Sequence, residues 1–180
     1  MDVAQAIRSA LELFHLRVHL YDCRQKRNVI DLLKGGIPES EYVVLCCGGW
    51  WGDMEMKSTF GVVDLIDGRW ESVEFSMTPA TIPEYVNLPG RKVISLGCNT
   101  GRKEIAQAFL DSGCRAYIGP DGALDQDSAV LFVIAFFYHL LREDREPALR
   151  CTDREAAERA AALDDYSKEG AHVFRYYGPE

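Results

Sequence analysis

Apolar residues recur along this chain with two periods, and the longer period predicts the helices. Apolar positions spaced by three or four residues run through 3–14, 24–34, 102–112, 127–142 and 152–168. The segment 127–142 is the most apolar, which predicts a helix that is buried on more than one side. The segment 152–168 begins with Thr152 and has Glu155 three residues later, which is the pattern of a capping box.

Short apolar or alternating runs between these helices predict the strands. They cover 16–21, 42–47, 92–97, 115–119 and 172–177. Residues 60–66 and 69–75 alternate on either side of Asp67-Gly68, which predicts a hairpin. A short helix is expected near 81–86, and Gly119-Pro120-Asp121-Gly122 is typical of a turn. Strands that alternate with helices predict one α/β domain over 1–180, a three-layer α/β/α sandwich with a mostly parallel sheet of about six strands.

Composition narrows the class of protein. The 180 residues are 47% hydrophobic and 27% charged, as in soluble globular domains, and the net charge of −8 argues against binding nucleic acid. No apolar run is long enough for a membrane span, and the first residues lack the pattern of a signal peptide, so we expect a cytoplasmic protein. The six cysteines form no C-x-x-C pair, so we expect reduced thiols, no metal and no cofactor.

The stretch 93–102 joins a predicted strand to a predicted helix through a glycine-flanked turn that contains Cys98. In open α/β sheets, ligands and chemistry gather beyond the carboxyl ends of the strands. A thiol there faces a helix N-terminus, where backbone N–H groups and the helix dipole favour the thiolate. Cys98 is therefore the candidate nucleophile, although the spacing alone also fits a small residue that closes a turn.

The residues around Cys98 resemble a known family. Leu96-Gly97-Cys98-Asn99-Thr100-Gly101, together with the helix and strand over 105–119, is similar to the CHAT domain, a bacterial branch of the caspase-like cysteine peptidases related to separases. The loop 125–129, the helix end 137–140 and the last strand also match. The resemblance is clearest over 90–142 and extends over about 16–178. It implies a caspase-like fold and a catalytic Cys–His dyad in which Cys98 is the nucleophile.

The family's histidine is missing from the matching position. In the family it follows an apolar strand and precedes a glycine; here the strand 42–47 is followed by Gly48-Gly49. The four histidines of the chain stand at 15, 19, 139 and 172. The resemblance thus assigns Gly48 to the place of the lost histidine and makes the Gly49 N–H a candidate oxyanion-hole donor. Because losing a general acid–base group costs about 10²–10⁴-fold in rate, we expect a pseudo-peptidase or a weakly active binding or regulatory module.

Four further residues are candidates for binding a peptide or protein partner. Trp50 and Trp51 follow the two glycines, and adjacent indoles often mark binding surfaces. It is equally expected that one of them packs under the hairpin and the other covers the edge of the sheet. Asp22 and Asp125 lie on loops after predicted strands, and some relatives use an acidic pocket to bind a basic substrate residue. The simpler interpretation is a set of solvated turn residues. The oligomeric state is left open.

Near Asp125, the capping group of the following helix is expected to be Asp127 or Ser128.

Two other functions are kept as alternatives. One is an active cysteine endopeptidase in which Cys98 is the nucleophile and the base is not identified. The other is an anion-binding module at residues 97–103, where a glycine-flanked loop leads to a helix start with Arg102 and Lys103. The loop lacks the Gly-Lys-Ser/Thr of a P-loop, and Glu104 occupies the arginine position of the Cys-x₅-Arg phosphatase pattern.

Overall fold

The computed structural model describes residues 3–50, 53–55, 62–66, 69–73, 75–142, 151–164 and 172–179. The described elements are, in chain order, α1 (Val3–Leu13), α2 (Lys26–Asp31), a π-helical turn (Leu32–Gly36), β1 (Tyr42–Leu45), β2 (Gly48–Trp50), β3 (Asp53–Glu55), β4 (Val62–Ile66), β5 (Arg69–Val73), β6 (Ser76–Met77), α3 (Ile82–Tyr85), β7 (Lys92–Ser95), α4 (Lys103–Asp111), β8 (Ala116–Gly122), α5 (Gln126–Leu141), α6 (Asp153–Ala161) and β9 (His172–Tyr177).

The central sheet has the strand order β1-β7-β8-β9. Strand β7 pairs in parallel with β1 and with β8, whereas β9 runs antiparallel to β8. The prediction of an α/β fold with a mostly parallel sheet is confirmed. The described residues place four strands in this sheet, fewer than the six expected. The predicted hairpin is present as β4 and β5, which pair with each other in a separate two-stranded sheet.

The strand predicted over 16–21 is wrong, because this segment belongs to no ladder. Its alternation is nevertheless real: Leu16, Val18 and Leu20 are half-buried, and the residues between them are exposed. Leu16 and Val18 pack against the apolar cluster that contains α5. Alternating apolar and polar residues indicate an extended segment with one buried side. Such a segment can bury that side without pairing to a neighbouring strand.

Helices cover both faces of the central sheet. Val93 and Tyr117 are fully buried on the face that packs against α2, α3 and α4, which we call the α4 face. Ile94 and Ile118, the next residues along each strand, are buried on the face that packs against α1, α5 and α6, which we call the α5 face. Successive strand residues point to opposite sides, so the continuous apolar runs predicted here reflect a sheet that is buried on both faces.

The turn predicted at 119–122 is also wrong, because β8 continues through these residues to Gly122. Pro120 pairs with Phe174 of β9, and its carbonyl accepts a hydrogen bond from the Gly101 N–H at 2.7 Å, on the side away from β9. Because the pairing between β7 and β8 ends at Ile94 and Ile118, no parallel strand needs the N–H that proline lacks.

Two predictions about helices in the second half of the chain are confirmed: the capping box of α6 and the burial of α5. Thr152 caps α6: its hydroxyl accepts a hydrogen bond from the Glu155 N–H, and the Glu155 carboxylate accepts one from the Thr152 N–H, which completes the capping box. Helix α5 is buried at positions that face both the sheet and its neighbouring helices, as its composition predicted. No described helix combines the length and the apolar character needed to span a bilayer.

Candidate functional site

The Cys98 loop is held at the carboxyl edge of the parallel strands. The Leu96 N–H donates to the Leu45 carbonyl of β1 at 3.0 Å, and the Asn99 N–H donates to the Gly122 carbonyl of β8 at 2.9 Å. Asn99 adopts a left-handed conformation with φ of 59°, which asparagine tolerates better than most residues. Strand β7 therefore delivers Cys98 between the ends of its two neighbours, where the sequence predicted a site.

Buried hydroxyl groups fix the shape of this loop. Ser95, Thr100 and Tyr117 are each 0% exposed. The Ser95 hydroxyl lies 2.8 Å from that of Thr100, which donates to the Gly97 carbonyl at 2.7 Å, and the Tyr117 hydroxyl donates to the Thr100 carbonyl at 2.9 Å. The sequence analysis missed these groups. The available signal was a serine and a tyrosine inside otherwise apolar strands, where a buried hydroxyl needs a partner.

The Cys98 thiol contacts the backbone that leads into α5. Its sulfur, which is partly buried, accepts a hydrogen bond from the Leu124 N–H at 3.3 Å, and the thiol donates one to the Leu124 carbonyl oxygen at 3.5 Å. Helix α4 begins at Lys103, within one residue of the predicted start. Hydrogen bonds in both directions with one backbone residue fix the orientation of the thiol.

Gly48, assigned to the place of the lost histidine, and Gly49, the candidate oxyanion-hole donor, lie directly against the Cys98 loop. A Cβ atom built on Gly49 overlaps the Cys98 carbonyl oxygen and lies 2.9 Å from the Cys98 nitrogen. A Cβ built on Gly97 overlaps the Gly48 carbonyl oxygen. The structure therefore brings Gly48 and Gly49 into backbone contact with Gly97 and Cys98, an approach so close that Gly49 and Gly97 must lack side chains.

The two glycines also begin a short strand. Residues Gly48–Trp50 form β2, which pairs antiparallel with β3 and places Trp50 opposite Asp53. The side chain of Trp50 and the whole of Trp51 lie outside the described residues. Their predicted role in binding therefore stays a prediction.

Of the two candidate acidic residues, Asp125 directly follows Leu124, which contacts the thiol, and it serves as the N-cap of α5. Its carboxylate accepts hydrogen bonds from the Ser128 N–H at 2.9 Å and from the Ser128 hydroxyl at 2.7 Å. These bonds, led by the one from the Ser128 N–H, hold the pKa of Asp125 below its ordinary value. The expectation that Asp127 or Ser128 caps this helix is wrong, because the carboxylate that precedes the first turn is better placed to accept its N–H groups.

No contact among the described residues links Asp22 to the Cys98 loop. It is exposed on the segment before α2 and forms an ion pair with Arg24 at 3.0 Å. The exposed position and the local partner fit a solvated surface residue better than a wall of a substrate pocket.

The other cysteines differ from Cys98 in their surroundings. Cys47 follows β1, and its sulfur lies 3.5 Å from the Ser95 hydroxyl; burial raises the pKa of its thiol to about 11. Burial likewise raises the pKa of Cys114 to about 12. All six cysteines are present as thiols, and no group of three metal-binding side chains occurs within the described part of the chain. Cys47 is thus close to the site but held in its neutral form at physiological pH.

The histidines occupy different parts of the fold. His15 and His19 are exposed on the segment that follows α1. His139 lies near the end of α5, about 20 Å along the helix axis from Asp125. Burial, and then the nearby Arg159 and Arg142 groups, lower its pKa. His172 is the first residue of β9 and pairs with Gly122.

The loop is poorly suited to hold an anion. The N–H groups of Asn99, Thr100 and Gly101 donate to the backbone carbonyls of Gly122, Gly97 and Pro120. Phosphate-binding loops turn such groups toward the ligand, whereas these three are already satisfied within the protein. This pattern weighs against the anion-binding alternative.

A comparison of the chain with protein-family models, curated proteins and solved structures finds no match. The function of the chain is therefore inferred from its own residues and from the geometry of the Cys98 loop.

Proposed function

We propose that this chain is a caspase-like domain of the CHAT type that keeps the nucleophile position at Cys98, has lost the histidine position at Gly48, and acts as a peptide-binding or regulatory module with at most weak peptidase activity. The observation that carries the proposal is the backbone contact between Gly48–Gly49 and Gly97–Cys98. A nucleophile and its base must lie within hydrogen-bonding reach of each other, and the backbone contact between these two segments supports an ancestral pairing of positions 48 and 98.

The chemistry that this arrangement supports is incomplete. The thiol is held by hydrogen bonds with both the N–H and the carbonyl of Leu124. Residue 48 offers no proton to a leaving amine, so an amide bond at this site has no general acid from the family's position. An extended peptide that reaches the edge of the sheet is therefore expected to bind and to be cleaved slowly.

The first test restores the missing group. Gly48→His is expected to produce cleavage of a fluorogenic peptide library at a rate at least about 100-fold above that of the wild-type chain, because a general acid–base group contributes about 10²–10⁴-fold. Gly48→Asn is the matched control, since asparagine adds polar bulk without a titratable group. The gain must disappear in the Gly48→His, Cys98→Ala double variant.

A folded Gly48→His chain that neither cleaves the library nor reacts with a peptide-based thiol probe contradicts the caspase-like assignment. The binding role is tested separately with the Cys98→Ala chain on an array of unmodified peptides. Retention of a defined set of peptides supports it, and an absence of retained peptides contradicts it.

A further inference from the structure

A cavity of about 240 Å³ lies at the edge of the central sheet opposite to the Cys98 loop. Its walls include Lys92 and Ala116, the first residues of β7 and β8, together with Arg115 and Tyr176. Pockets that enclose drug-sized molecules have volumes of roughly 300–1,000 Å³. This cavity is smaller, so it fits a small ligand or one group of a larger ligand.

Two guanidinium groups at this cavity have donors without an acceptor. Among the described residues, the exposed Arg115 side chain forms no hydrogen bond or ion pair. The Nε atom of Arg154 is buried and has no hydrogen-bond partner in the same part of the chain. The Arg154 guanidinium lies 5.1 Å from the ring centroid of Tyr176, which lines the cavity. A buried donor without a partner indicates an acceptor that comes from outside the chain.

The charges around Tyr176 show that cations converge here. Burial is the largest influence on the pKa of Tyr176 and raises it, and Asp153 acts in the same direction. Three positive groups oppose them: Lys92, Arg154 and Arg115. The three cations are therefore close enough to one hydroxyl group to act on a single bound anion.

The carboxylates at this end of the sheet occupy the lysine and leave the arginines unpaired. The Lys92 ammonium lies 2.7 Å from the carboxylate of Asp153, 2.8 Å from that of Glu41 and 3.0 Å from the Tyr42 hydroxyl. A lysine has three N–H donors, so these contacts use all of them. With the two arginines, the groups carry three positive and two negative charges, a positive surplus in a chain of net charge −8.

A phosphate group matches this arrangement better than a carboxylate does. The planar guanidinium fork binds either group through two parallel N–H donors. A phosphate presents oxygens in several directions, so it can accept from two arginines at once, whereas a carboxylate presents two oxygens in one plane. Since Lys92 has no free donor, the hydrogen bonds must come from Arg115 and Arg154.

We infer that this cavity binds the phosphate group of a small ligand through Arg115 and Arg154. Lys92 adds positive charge to the site without contacting the ligand. The site lies at the amino-terminal ends of the parallel strands and uses none of the residues of the Cys98 loop, so the inference is independent of the proposed function.

The test titrates the full chain with inorganic phosphate in a calorimeter, with the ionic strength held at about 0.15 M by sodium chloride to screen unspecific attraction. The wild-type chain is expected to bind with a Kd below about 1 mM. Arg115→Gln should weaken binding by about tenfold or more, because hydrogen bonds to a charged group are lost. Arg154→Lys keeps the charge, removes the planar fork and should also weaken binding. Arg27→Gln, on the exposed side of α2, is the control and should bind as the wild type does.

Three outcomes overturn the inference. The first is a wild-type chain with no binding of phosphate beyond that of chloride, and the second is an unchanged Kd in folded Arg115→Gln. The third is acetate that binds as tightly as phosphate, which would make the site one for carboxylates. Circular dichroism confirms the fold of each variant. If Arg154→Lys disturbs α6, the comparison of wild type with Arg115→Gln decides, since Arg115 is exposed. The Gly48→His gain and the peptide array judge the proposed function separately.

Discussion

Three hydroxyl groups set the conformation of the Cys98 loop at the scale of single residues. Thr100 is central among them, because its hydroxyl both donates to the Gly97 carbonyl and lies 2.8 Å from the Ser95 hydroxyl. All of these polar atoms are buried, so each depends on the others for a hydrogen bond. The position of the Cys98 thiol is therefore determined by hydrogen bonds between hydroxyl and carbonyl groups of the loop, in which the thiol itself takes no part.

Replacing Thr100 tests the importance of this network. Thr100→Val keeps the volume of the side chain and removes the hydroxyl, so it is expected to lower the free energy of unfolding by about 1–3 kcal/mol, the usual cost of leaving buried partners unsatisfied. Thr100→Ser keeps the hydroxyl and serves as the control. Urea unfolding of the three chains makes the comparison, and equal losses in both variants would contradict the role of the hydroxyl.

At the scale of elements, the residue that caps α5 is next to the residue that contacts the Cys98 thiol. Asp125 caps the helix through Ser128, and the residue before it, Leu124, donates its N–H to the Cys98 sulfur. The cap therefore orders the segment that contacts the thiol. This gives Asp125 a structural connection to the site that differs from the substrate-binding role considered for it from the sequence.

Asp125→Ala is expected to lower the free energy of unfolding by about 1 kcal/mol through loss of the N-cap. Asp127→Ala, in the same first turn, is the control. Because the folded pKa of Asp125 is lowered, its contribution is fully present above the ordinary carboxyl pKa of about 4 and is lost as the pH falls through the folded value.

Denaturant unfolding measured from pH 7 down to pH 3 makes this comparison. The difference between wild type and Asp125→Ala should shrink toward the acid end of the series. A difference that stays constant with pH would show that the carboxylate charge is not what stabilises the start of α5.

At the scale of the whole molecule, the far end of the sheet is tied to α6 by a partly buried ionic cluster. The Lys92 ammonium lies 2.8 Å from the Glu41 carboxylate, 2.7 Å from that of Asp153 and 3.0 Å from the Tyr42 hydroxyl. The Tyr42 hydroxyl also donates to Asp153. Lys92 begins β7 and Ser95 ends it, so the cluster and the Cys98 loop stand at opposite ends of one strand.

Lys92→Met is expected to lower the free energy of unfolding by about 3 kcal/mol, because it leaves Asp153 with little exposure and without its cation. Lys103→Met, on the exposed side of α4, is the control. The rate of Cys98 alkylation should stay unchanged in Lys92→Met, since the cluster is remote from the loop. A loss of less than about 1 kcal/mol, the range of exposed ion pairs, would contradict the structural role of the cluster.

The pH dependence of this cluster has the opposite sign to that of Asp125. Burial lowers the pKa of Lys92, but its hydrogen bonds with Asp153 and Glu41 outweigh burial and raise the pKa overall. Its contribution is therefore complete below the ordinary lysine pKa of about 10.4 and is lost as the pH rises through the folded value. Burial raises the pKa of Tyr42 as well, which acts in the same direction.

Much of the fold could be predicted, because its elements carry strong local signals. The predicted helices around α1, α4 and α5 and the predicted strands around β1, β7 and β9 are present, as is the capping box at Thr152. The failures share one cause. Residues 16–21 alternate without joining a ladder, and 119–122 carry turn residues inside a strand, because pairing depends on a neighbour that local patterns do not reveal.

The periods of apolar residues and the glycine-flanked turn suffice to place Cys98 between a buried strand and a helix, since burial periodicity and turn chemistry act between residues close in the chain. They do not reveal that Gly48 and Gly49 press against Cys98 or that the thiol turns to Leu124. These relations depend on strand order and register, which arise from packing between segments far apart in the chain. The composition of the candidate site is therefore a property of the folded sheet.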